Sequence, residues 1–456
     1  MAAVATLEVH SPFSGKVVGS VPKGGREEAQ RAVDAAAAVL REPLPAYERA
    51  RILDRVSALL AEHADEAARI ICSEAGKPMK AARVEAQRAS STYTFAAVEA
   101  RKLAGEMVPM DASQAGAGKL AFTLRFPIGV VGAISPFNFP LNLVAHKIAP
   151  ALAAGCPVVL KPASTTPLSA QFLAELEYEA GLPKDWLSVV AGSAAEIGDV
   201  LVEDERVKLI TFTGSGGVGW KLAERAHRKR VKLELGNATP AIVCADAPPE
   251  AAAKLAANAF SFAGQSCISV QRIFVADSIW ASFVADFIPR VEALKVGDPA
   301  DEDTDVGPVI SEDERDRILE WVRESRGEVL TGGDTTPEGV IRPTVIAQPA
   351  SDDKVQCDEI FGPVVTLTKV ASLDEAIDGA NATRYGLQAA IFTRDIQSAL
   401  TAAQRLEFGG VLINEAPTFR ADQMPYGGVK ASGNTREGPA WAIHEMTEER
   451  LVVLNL

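Results

Sequence analysis

The chain has 456 residues and carries 46 Lys and Arg against 60 Asp and Glu, which gives a formal net charge of −14. Hydrophobic residues make up 47% of the chain and charged residues 23%, as in ordinary globular proteins, so a mainly disordered chain is excluded. The negative charge gives no electrostatic basis for binding phosphate backbones or anionic lipids, so we expect no nucleic-acid partner.

The sequence contains no clear signal for export, membrane insertion or metal binding. Residues 1–8 show no basic segment followed by an apolar run, so no signal peptide is predicted. The most apolar stretch, residues 143–160, is interrupted by a histidine, a lysine and two prolines, so no membrane span is predicted. The five cysteines are scattered without a CxxC pair, which is typical of a reducing compartment, and we expect a cytoplasmic location. The histidines show no ligand spacing, so no metal site is predicted.

The predicted elements begin with helices over residues 26–105, where Ile52, Val56, Leu59 and Leu60 form an apolar stripe on one helix face. From about residue 128, short apolar runs alternate with helical stretches. The predicted strands are 128–134, 157–160, 187–190, 209–212 and 232–235, and the predicted helices are 141–153, 168–180, 194–201 and 218–228. This alternation indicates an α/β fold with a parallel sheet and helices on both faces.

A second α/β set follows. Its predicted helices are 250–263, 279–292 and 312–325, and its predicted strands are 273–276, 364–370, 388–392 and 411–414. Two further extended runs, 120–126 and 451–456, lie outside the alternation. Because unpaired strand edges tend to pair, these runs are either contacts with another subunit or two edge strands of one monomer.

A glycine-rich segment, 214–219 (GSGGVG), follows a predicted strand and precedes a predicted helix. Its amide groups and the helix N-terminus could hold a pyrophosphate, and Glu234, near the end of the next strand, lies where a ribose-binding acid is expected. Glycines at such a position can equally form only a tight turn.

Cys267 lies just after a predicted helix and therefore on a loop, where catalytic groups are often found. The thiolate is the reactive form of cysteine, so a nucleophilic role requires a lowered pKa or a nearby base. A single cysteine is more often a small buried apolar residue.

Seven motifs occur along the chain, and their order and separations are more specific than any one of them. They are 135–140 (SPFNFP), 161–164 (KPAS), 212–215 (FTGS), 234–236 (ELG), 264–267 (GQSC), 359–363 (EIFGP) and 425–430 (PYGGVK). In this combination the chain resembles the NAD(P)-dependent aldehyde dehydrogenase superfamily over nearly its whole length. The resemblance implies three parts, which are a Rossmann-like dinucleotide-binding domain (1–107 and 127–235), an α/β catalytic domain (236–444) and a small β arm (108–126 and 445–456). Such an arm suggests a homodimer or a homotetramer.

The resemblance also implies a catalytic role for three residues. Cys267 would attack the aldehyde carbon to give a thiohemiacetal, and the Asn138 amide and the Cys267 backbone N–H would bind the developing oxyanion. After hydride transfer, Glu234 would activate the water that hydrolyses the thioester. This implied role replaces the ribose contact first assigned to Glu234.

For the cofactor, the resemblance implies that Lys161 binds the adenosine ribose and that Gly214 and Ser215 approach the pyrophosphate. It also implies that Glu359 binds the nicotinamide ribose and that Phe361 packs near that ring. Many NAD-preferring members carry Glu where this chain has Ser164. Since Ser removes the charge that would repel a 2′-phosphate, we expect NADP to be preferred over NAD.

The substrate side is less well defined. We expect Phe137 and His146 to line a tunnel that favours small polar aldehydes. Arg420 would hold an anionic substrate tail or pair structurally with Asp422 or another carboxylate. Two alternatives remain open, namely a CoA-acylating aldehyde dehydrogenase and a non-catalytic dinucleotide-binding protein.

Overall fold

The structure is a computed structural model that describes residues 5–456. Residues 1–4, on which the signal-peptide prediction and the start of the first predicted domain partly depend, lie outside the described residues. Within residues 5–456, no helix combines the length and apolarity that crossing a membrane requires. The same residues contain no cluster of three or more His, Cys, Asp or Glu arranged to bind a metal ion.

The first part of the chain is a β-hairpin followed by four helices and two strands. These elements are β1 (Thr6–His10), β2 (Val17–Pro22), α1 (Arg26–Val39), α2 (Ala46–Glu62), α3 (Ala64–Ala75), α4 (Met79–Lys102), β3 (Met107–Val108) and β4 (Lys119–Pro127). The helices confirm the prediction for residues 26–105, and the apolar stripe on α2 is fully buried. The hairpin was not predicted, since each of its strands has only one buried residue.

The first parallel sheet confirms the predicted alternation. It contains β5 (Val130–Ile134), β6 (Val158–Lys161), β7 (Leu187–Val189), β8 (Val207–Thr213) and β9 (Arg230–Glu234), connected by α5 (Asn142–Ala154), α6 (Leu168–Glu179), α7 (Ala194–Glu203) and α8 (Gly216–Arg225). The strand order is β7-β6-β5-β8-β9, and all neighbours are parallel. From β5, the strands β6 and β7 are therefore added on one side and the strands β8 and β9 on the other. In sheets of this kind ligands bind at such a point, beyond the carboxyl ends of the strands.

The second sheet has seven strands. Its elements are β10 (Thr239–Val243), α9 (Ala251–Ala259), β11 (Val270–Ala276), α10 (Trp280–Glu292), α11 (Glu312–Glu324), β12 (Glu328–Thr331), β13 (Thr344–Ala347), α12 (Lys354–Cys357), β14 (Val364–Val370), α13 (Leu373–Asn381), β15 (Gln388–Phe392), α14 (Ile396–Arg405) and β16 (Gly410–Ile413). The order is β12-β13-β14-β11-β10-β15-β16, and only the β12–β13 pair is antiparallel. The predicted α/β class is confirmed, although β10, β12 and β13 were not predicted.

The last elements are α15 (Pro439–Glu445) and β17 (Thr447–Asn455). The two extended runs outside the alternation correspond to β4 and β17, which pair antiparallel with each other over nine positions. They belong to a three-stranded sheet in the order β17-β4-β3, so β17 is an edge strand. Of the two predicted edge strands, β17 is one, whereas β4 lies in the centre of this sheet, and the predicted contact with another subunit stays a prediction.

The C-terminal segment returns to the first sheet before it reaches this arm. The Leu235 N–H donates to the Ser432 carbonyl (3.0 Å), and the Asn434 N–H donates to the Leu233 carbonyl (3.1 Å). Ile443 and Met446 join the apolar core of the first sheet. The predicted domain boundaries stay predictions, and these contacts connect the end of the chain to its first half.

Candidate active site

Two cavities meet beside the carboxyl ends of the first sheet's strands, and Cys267 lines both of them. The larger cavity has a volume of about 640 Å³, and the segments after β5, β6, β8 and β9 line it together with residues from the second sheet's side. The smaller cavity has a volume of about 300 Å³. Cys267 can therefore be reached from two directions, so one molecule in each cavity could contact it at the same time.

The loop that carries Cys267 is shaped by a left-handed turn. The predicted helix 250–263 ends early, because Phe262 and Ala263 both have positive φ angles, of 50° and 52°. Gly264 also has positive φ, and a Cβ there would collide with the Gly362 carbonyl. Non-glycine residues held in this region are strained and concentrate at functional sites. The turn directs the chain back between the two sheets and presents Cys267 to both cavities.

Asn138 follows β5 and is bonded to the loop that carries Cys267. Its side-chain amide donates to the Gln265 carbonyl (3.0 Å), and its Oδ1 is buried without a partner among the described residues. The amide nitrogen carries two hydrogens, so one N–H remains for a ligand. Asn138, Glu234 and Cys267 all line the larger cavity, so the structure brings the three predicted catalytic residues together.

Glu234 ends β9 and is 1% exposed, and neither of its carboxyl oxygens has a hydrogen-bond partner in the described part of the chain. Burial raises the pKa of Glu234 to about 8, and the negative charge of Glu437 acts in the same direction. Arg420 and Lys147 favour the charged form of Glu234 and so oppose this shift. A carboxyl group with such a pKa can accept and release a proton near neutral pH.

The Cys267 thiol is held in its protonated form by its surroundings. Burial raises its pKa well above the usual value, and the negative charge of Glu234 raises it further. The Tyr426 hydroxyl, 2.9 Å from the Cys267 sulfur, and the Arg420 cation favour the thiolate instead. A reaction at this sulfur therefore requires a base, and Glu234 is close enough for each group to shift the pKa of the other.

The predicted residues for the adenosine end of a dinucleotide lie on one wall of the larger cavity. The Lys161 ammonium, at the end of β6, is 3.4 Å from the Ser164 hydroxyl, which donates to the Gly192 carbonyl (2.9 Å). Burial lowers the pKa of Lys161, and no carboxylate contributes to its shift. This wall therefore offers a cation and a hydroxyl and no negative charge beside them.

The glycine-rich segment leads into α8 as predicted. Gly214 and Ser215 line the larger cavity, and Ser215 directly precedes the helix. A Cβ added at Gly216 or Gly217 would meet no atom within 4 Å, so the first turn of α8 borders open space. The unpaired N–H groups of a helix N-terminus bind phosphate groups, and a phosphate can reach those of α8 from the open space.

Glu359 and Phe361 also line the larger cavity. The Glu359 carboxylate accepts the Asn237 N–H (2.9 Å), and burial raises its pKa to about 7. Gly236 leaves room for the Glu359 carboxylate, which a Cβ at this position would displace. Phe361 has a φ of 48°, and its ring packs edge to face on Phe137 with centroids 5.8 Å apart. A carboxylate, a flat apolar ring, a cation and a helix N-terminus are the groups that a nicotinamide dinucleotide requires, so the residues present fit that cofactor.

Of the three residues predicted for the substrate side, Arg420 alone lines the smaller cavity. Phe137 lines the larger cavity and not the smaller one. His146 lines neither cavity, because its buried imidazole lies 3.0 Å from the Asp422 carboxylate behind the wall. Arg420 lines the smaller cavity, and its carboxylate partner is Glu437 (2.9 Å), within the prediction of a pair with Asp422 or another carboxylate.

A comparison with known proteins identifies the family. The model of the aldehyde dehydrogenase family matches residues 1–452. The chain belongs to this family.

Three relatives of this aldehyde dehydrogenase illustrate its similarity. The 3-sulfolactaldehyde dehydrogenase of Priestia aryabhattai is 44% identical over 453 residues, which are 99% of this chain and 95% of that protein. The structure of aldehyde dehydrogenase 21 from Physcomitrella patens, in complex with the reaction product succinate, is 40% identical over 100% of this chain and 96% of its own, with a TM-score of 0.96. The structure of glyceraldehyde-3-phosphate dehydrogenase GapN from Methanocaldococcus jannaschii, complexed with NADP, is 39% identical over 99% of both chains, with a TM-score of 0.94.

These matches confirm the predicted enzyme class, an NAD(P)-dependent aldehyde dehydrogenase of the non-acylating type. They give no support to a CoA-acylating enzyme or to a non-catalytic dinucleotide-binding protein.

Sequence reasoning missed a charged group behind the three predicted catalytic residues of this aldehyde dehydrogenase. The Lys147 ammonium, on the buried helix α5, donates to Thr213 (2.6 Å) and pairs with Glu437 (3.5 Å). The neighbouring cations hold the pKa of Glu437 at about 2, so this carboxylate stays charged. A lysine within an otherwise apolar run was the available signal, but its partner lies almost 300 residues away in the chain.

Proposed function

We propose that this aldehyde dehydrogenase oxidises a small aldehyde with an anionic tail to the carboxylic acid, with Cys267 as nucleophile and NADP as the preferred cofactor. The observation that carries the choice of substrate is a pair of arginines in the wall of the smaller cavity. Arg88 and Arg420 both line this cavity beside Cys267. The Nε atom of each is buried and has no hydrogen-bond partner within residues 5–456.

Buried guanidinium N–H groups without partners are available for a bound anion. Arg88 donates one bond to Asp422 (2.9 Å), and Arg420 donates one to Glu437 (2.9 Å), so each keeps further donors. Carboxylate, phosphate and sulfonate groups accept such charge-assisted bonds. The relatives support this reading, since 3-sulfolactaldehyde, glyceraldehyde 3-phosphate and succinate all carry an anionic group.

In the proposed reaction, Glu234 takes the proton of the Cys267 thiol and the sulfur attacks the aldehyde carbon. The Asn138 amide and the Cys267 backbone N–H bind the oxygen that becomes negatively charged, an arrangement worth about 3–4 kcal/mol per donor in comparable sites. The nicotinamide cofactor, when bound in the larger cavity, supplies the acceptor for the hydride. Once Glu234 has released the thiol proton to solvent, it accepts a proton from the water molecule that hydrolyses the Cys267 thioester, which frees the acid and the Cys267 sulfur.

The proposed cofactor preference is supported by the wall around Lys161. Ser164 leaves room and carries no charge, and Lys161 supplies a cation on the same wall. A 2′-phosphate would therefore be attracted there and not repelled. The complex of the related GapN structure with NADP fits this reading.

We further infer that the arm formed by β3, β4 and β17 joins subunits into a homodimer or homotetramer, and that the enzyme is cytoplasmic. The inference of an oligomer is supported by the unpaired edge of β17 and by exposed apolar residues such as Leu120 and Leu454. The inference of location is supported by the five cysteines, all of which are free.

Two variants test the proposed reaction. Cys267→Ser should leave NADP binding intact and abolish NADPH formation from aldehyde, since the hydroxyl is a far weaker nucleophile. Arg88→Met should lower kcat/KM for 3-sulfolactaldehyde or succinate semialdehyde by about 10–100-fold, the worth of one bond to a charged group. The same change should alter kcat/KM for the neutral lactaldehyde by less than about threefold.

The matched control is Arg83→Met, because Arg83 lies on the same helix, is partly exposed and binds Glu302 outside both cavities. Arg83→Met should leave kcat/KM unchanged for the charged aldehydes and for lactaldehyde. Equal losses for charged and neutral aldehydes in Arg88→Met would reject the anionic subsite, and full activity in Cys267→Ser would reject the mechanism.

A further inference from the structure

The motif 425–430 belongs to the sequence pattern of the family, but the proposed reaction gives its tyrosine no role. Tyr426 is 2% exposed and lines the smaller cavity together with Cys267. Its hydroxyl oxygen lies 2.9 Å from the Cys267 sulfur, well within the distance of a hydrogen bond to sulfur. This contact joins the tyrosine directly to the atom that reacts.

The tyrosine ring is held in this position from two sides. Its backbone pairs with that of Glu437, with the Tyr426 N–H donating to the Glu437 carbonyl (3.1 Å) and the Glu437 N–H donating back (2.6 Å). The Arg420 guanidinium lies over the ring, 3.8 Å from its centroid, and is itself bound to Glu437. Since both backbone and ring are fixed, the hydroxyl cannot turn away from the sulfur without breaking these contacts.

The direction of the hydrogen bond follows from the remaining partners. Among the described residues, the Tyr426 hydroxyl has no hydrogen-bond partner other than the Cys267 sulfur. A buried phenol donates its proton where it can, and an anionic sulfur can only accept. Burial raises the pKa of Tyr426 well above its usual value, so the hydroxyl keeps its proton at neutral pH.

The charged and titratable groups that face the sulfur act in opposite directions. Glu234 and Glu359 raise the pKa of Cys267, while Tyr426 and Arg420 lower it. Arg420 is shared with Glu437 and, in the proposed function, with the substrate anion. Of these two groups, Tyr426 is therefore the one whose hydrogen bond is not shared with another partner among residues 5–456.

We propose that Tyr426 is a further catalytic residue, whose hydroxyl donates a hydrogen bond to the Cys267 thiolate and stabilises it for attack on the aldehyde. This inference rests on the proposed role of Cys267 as nucleophile. In the activating step the S–H bond breaks, the proton passes to the Glu234 carboxylate, and the electron pair stays on the sulfur. The Tyr426 O–H bond remains intact throughout.

The test is Tyr426→Phe, which removes the hydroxyl and keeps the ring beneath Arg420. The measurement is the rate at which iodoacetamide alkylates the full-length enzyme as a function of pH, with mass spectrometry counting only the Cys267 peptide. We expect the inflection to move up by about one pH unit, so that the thiolate fraction below it falls about tenfold. We also expect kcat/KM for aldehyde to fall while the dissociation constant for NADP stays unchanged.

The matched control is Tyr178→Phe, which removes the hydroxyl bond to the Leu187 carbonyl (2.8 Å), outside both cavities. Its alkylation profile should equal that of the wild type. In case Tyr426→Phe does not fold, 3-fluorotyrosine incorporated at position 426 provides a second measurement. Its hydroxyl is a stronger donor of nearly the same shape, so the inflection should move down.

The outcomes separate this inference from the function on which it rests. An unchanged inflection in the variant that folds, with Cys267→Ser inactive, would overturn the role of Tyr426 and leave the proposed nucleophile in place. Aldehyde oxidation by Cys267→Ser would overturn the proposed function itself.

Discussion

At the scale of single residues, the burial of Glu234 sets an expected pH dependence. Its pKa is raised from 4.5 to about 8, so the carboxylate that accepts a proton from water in the proposed reaction becomes populated only as the pH rises through that value. We expect kcat to increase up to about pH 8 and then to level off. Glu234→Gln should remove this dependence and lower kcat by about 10²–10⁴-fold, as measured by steady-state assays from pH 6 to 10.

A suitable comparison is Glu203→Gln, because Glu203 is an exposed carboxylate on α7. Its profile should match that of the wild type. A Glu234→Gln enzyme with the rising limb still present would mean that another group supplies the base.

Ser164 sets the expected choice of cofactor. Ser164→Glu would place a carboxylate beside Lys161, where it can bind a ribose hydroxyl and repel a 2′-phosphate. We expect the ratio of kcat/KM for NADP to that for NAD to fall by at least about tenfold, which corresponds to about 1.4 kcal/mol. The measurement is a pair of saturation curves at one fixed aldehyde concentration, and Ser164→Ala is the neutral comparison. A wild-type enzyme that favours NAD would contradict the prediction before any variant is made.

Prediction from sequence was strongest for residues inside short motifs and weakest for residues that act through packing. Asn138, Glu234 and Cys267 stand in recognisable segments, and all three line one cavity. The role of Tyr426 depends on a contact across 159 residues, which no spacing in the sequence encodes. His146 was assigned to a tunnel by its position in the chain, but its imidazole faces Asp422 because the helix buries every residue.

At the scale of elements, one buried ion pair connects three segments around the site. Lys77 and Glu85, both fully buried, form a short ion pair between the segment before α4 and the helix itself. The Glu85 carboxylate accepts the Leu141 N–H (2.9 Å) at the start of α5. The Lys77 ammonium lies 3.7 Å from the centroid of Phe139 and 4.5 Å from that of Phe262, on the loop before Cys267.

Breaking this pair should destabilise the fold. Lys77→Met leaves Glu85 buried and unpaired, so we expect a loss of about 3–5 kcal/mol in the free energy of unfolding, measured by urea denaturation. Adding Glu85→Gln removes the charge but keeps an oxygen for the Leu141 amide, and should restore part of the loss. Lys102→Met, at the exposed end of α4, should change stability by less than about 1 kcal/mol. A similar loss in the free energy of unfolding for Lys77→Met and Lys102→Met would contradict a special contribution of the buried pair.

The elements that the sequence did not predict have identifiable reasons. β10 lies in the middle of the second sheet but contains Pro240, which argues against a central strand. The register shifts between Thr239 and Pro240, and this irregularity accommodates the missing N–H. β12 has no buried residue, so it lacks the apolar alternation by which strands are recognised.

At the scale of the whole molecule, the arm is the expected subunit contact. Leu120 on β4 and Leu454 on β17 are directly opposite each other, and both are exposed. Replacing both with Glu should add like charges to this face and shift the molecular mass in solution from oligomer to monomer. Light scattering coupled to size exclusion measures this shift. The control is Tyr47→Glu, at an exposed site on α2, which should leave the mass unchanged. An unchanged mass in the arm variant would show that the subunits join elsewhere.

The return of residues 432–434 to the edge of β9 has a consequence for how the enzyme is made. The Leu233 N–H bonds to the Asn434 side chain, 201 residues further along the chain. At a synthesis rate of about 5–20 residues per second, a ribosome needs about 10–40 s to cover that distance. The strand that carries the proposed base, Glu234, emerges long before the segment that completes its edge. A nascent chain should therefore acquire activity only after residues 432–434 have emerged, whatever the folding rate of its first half.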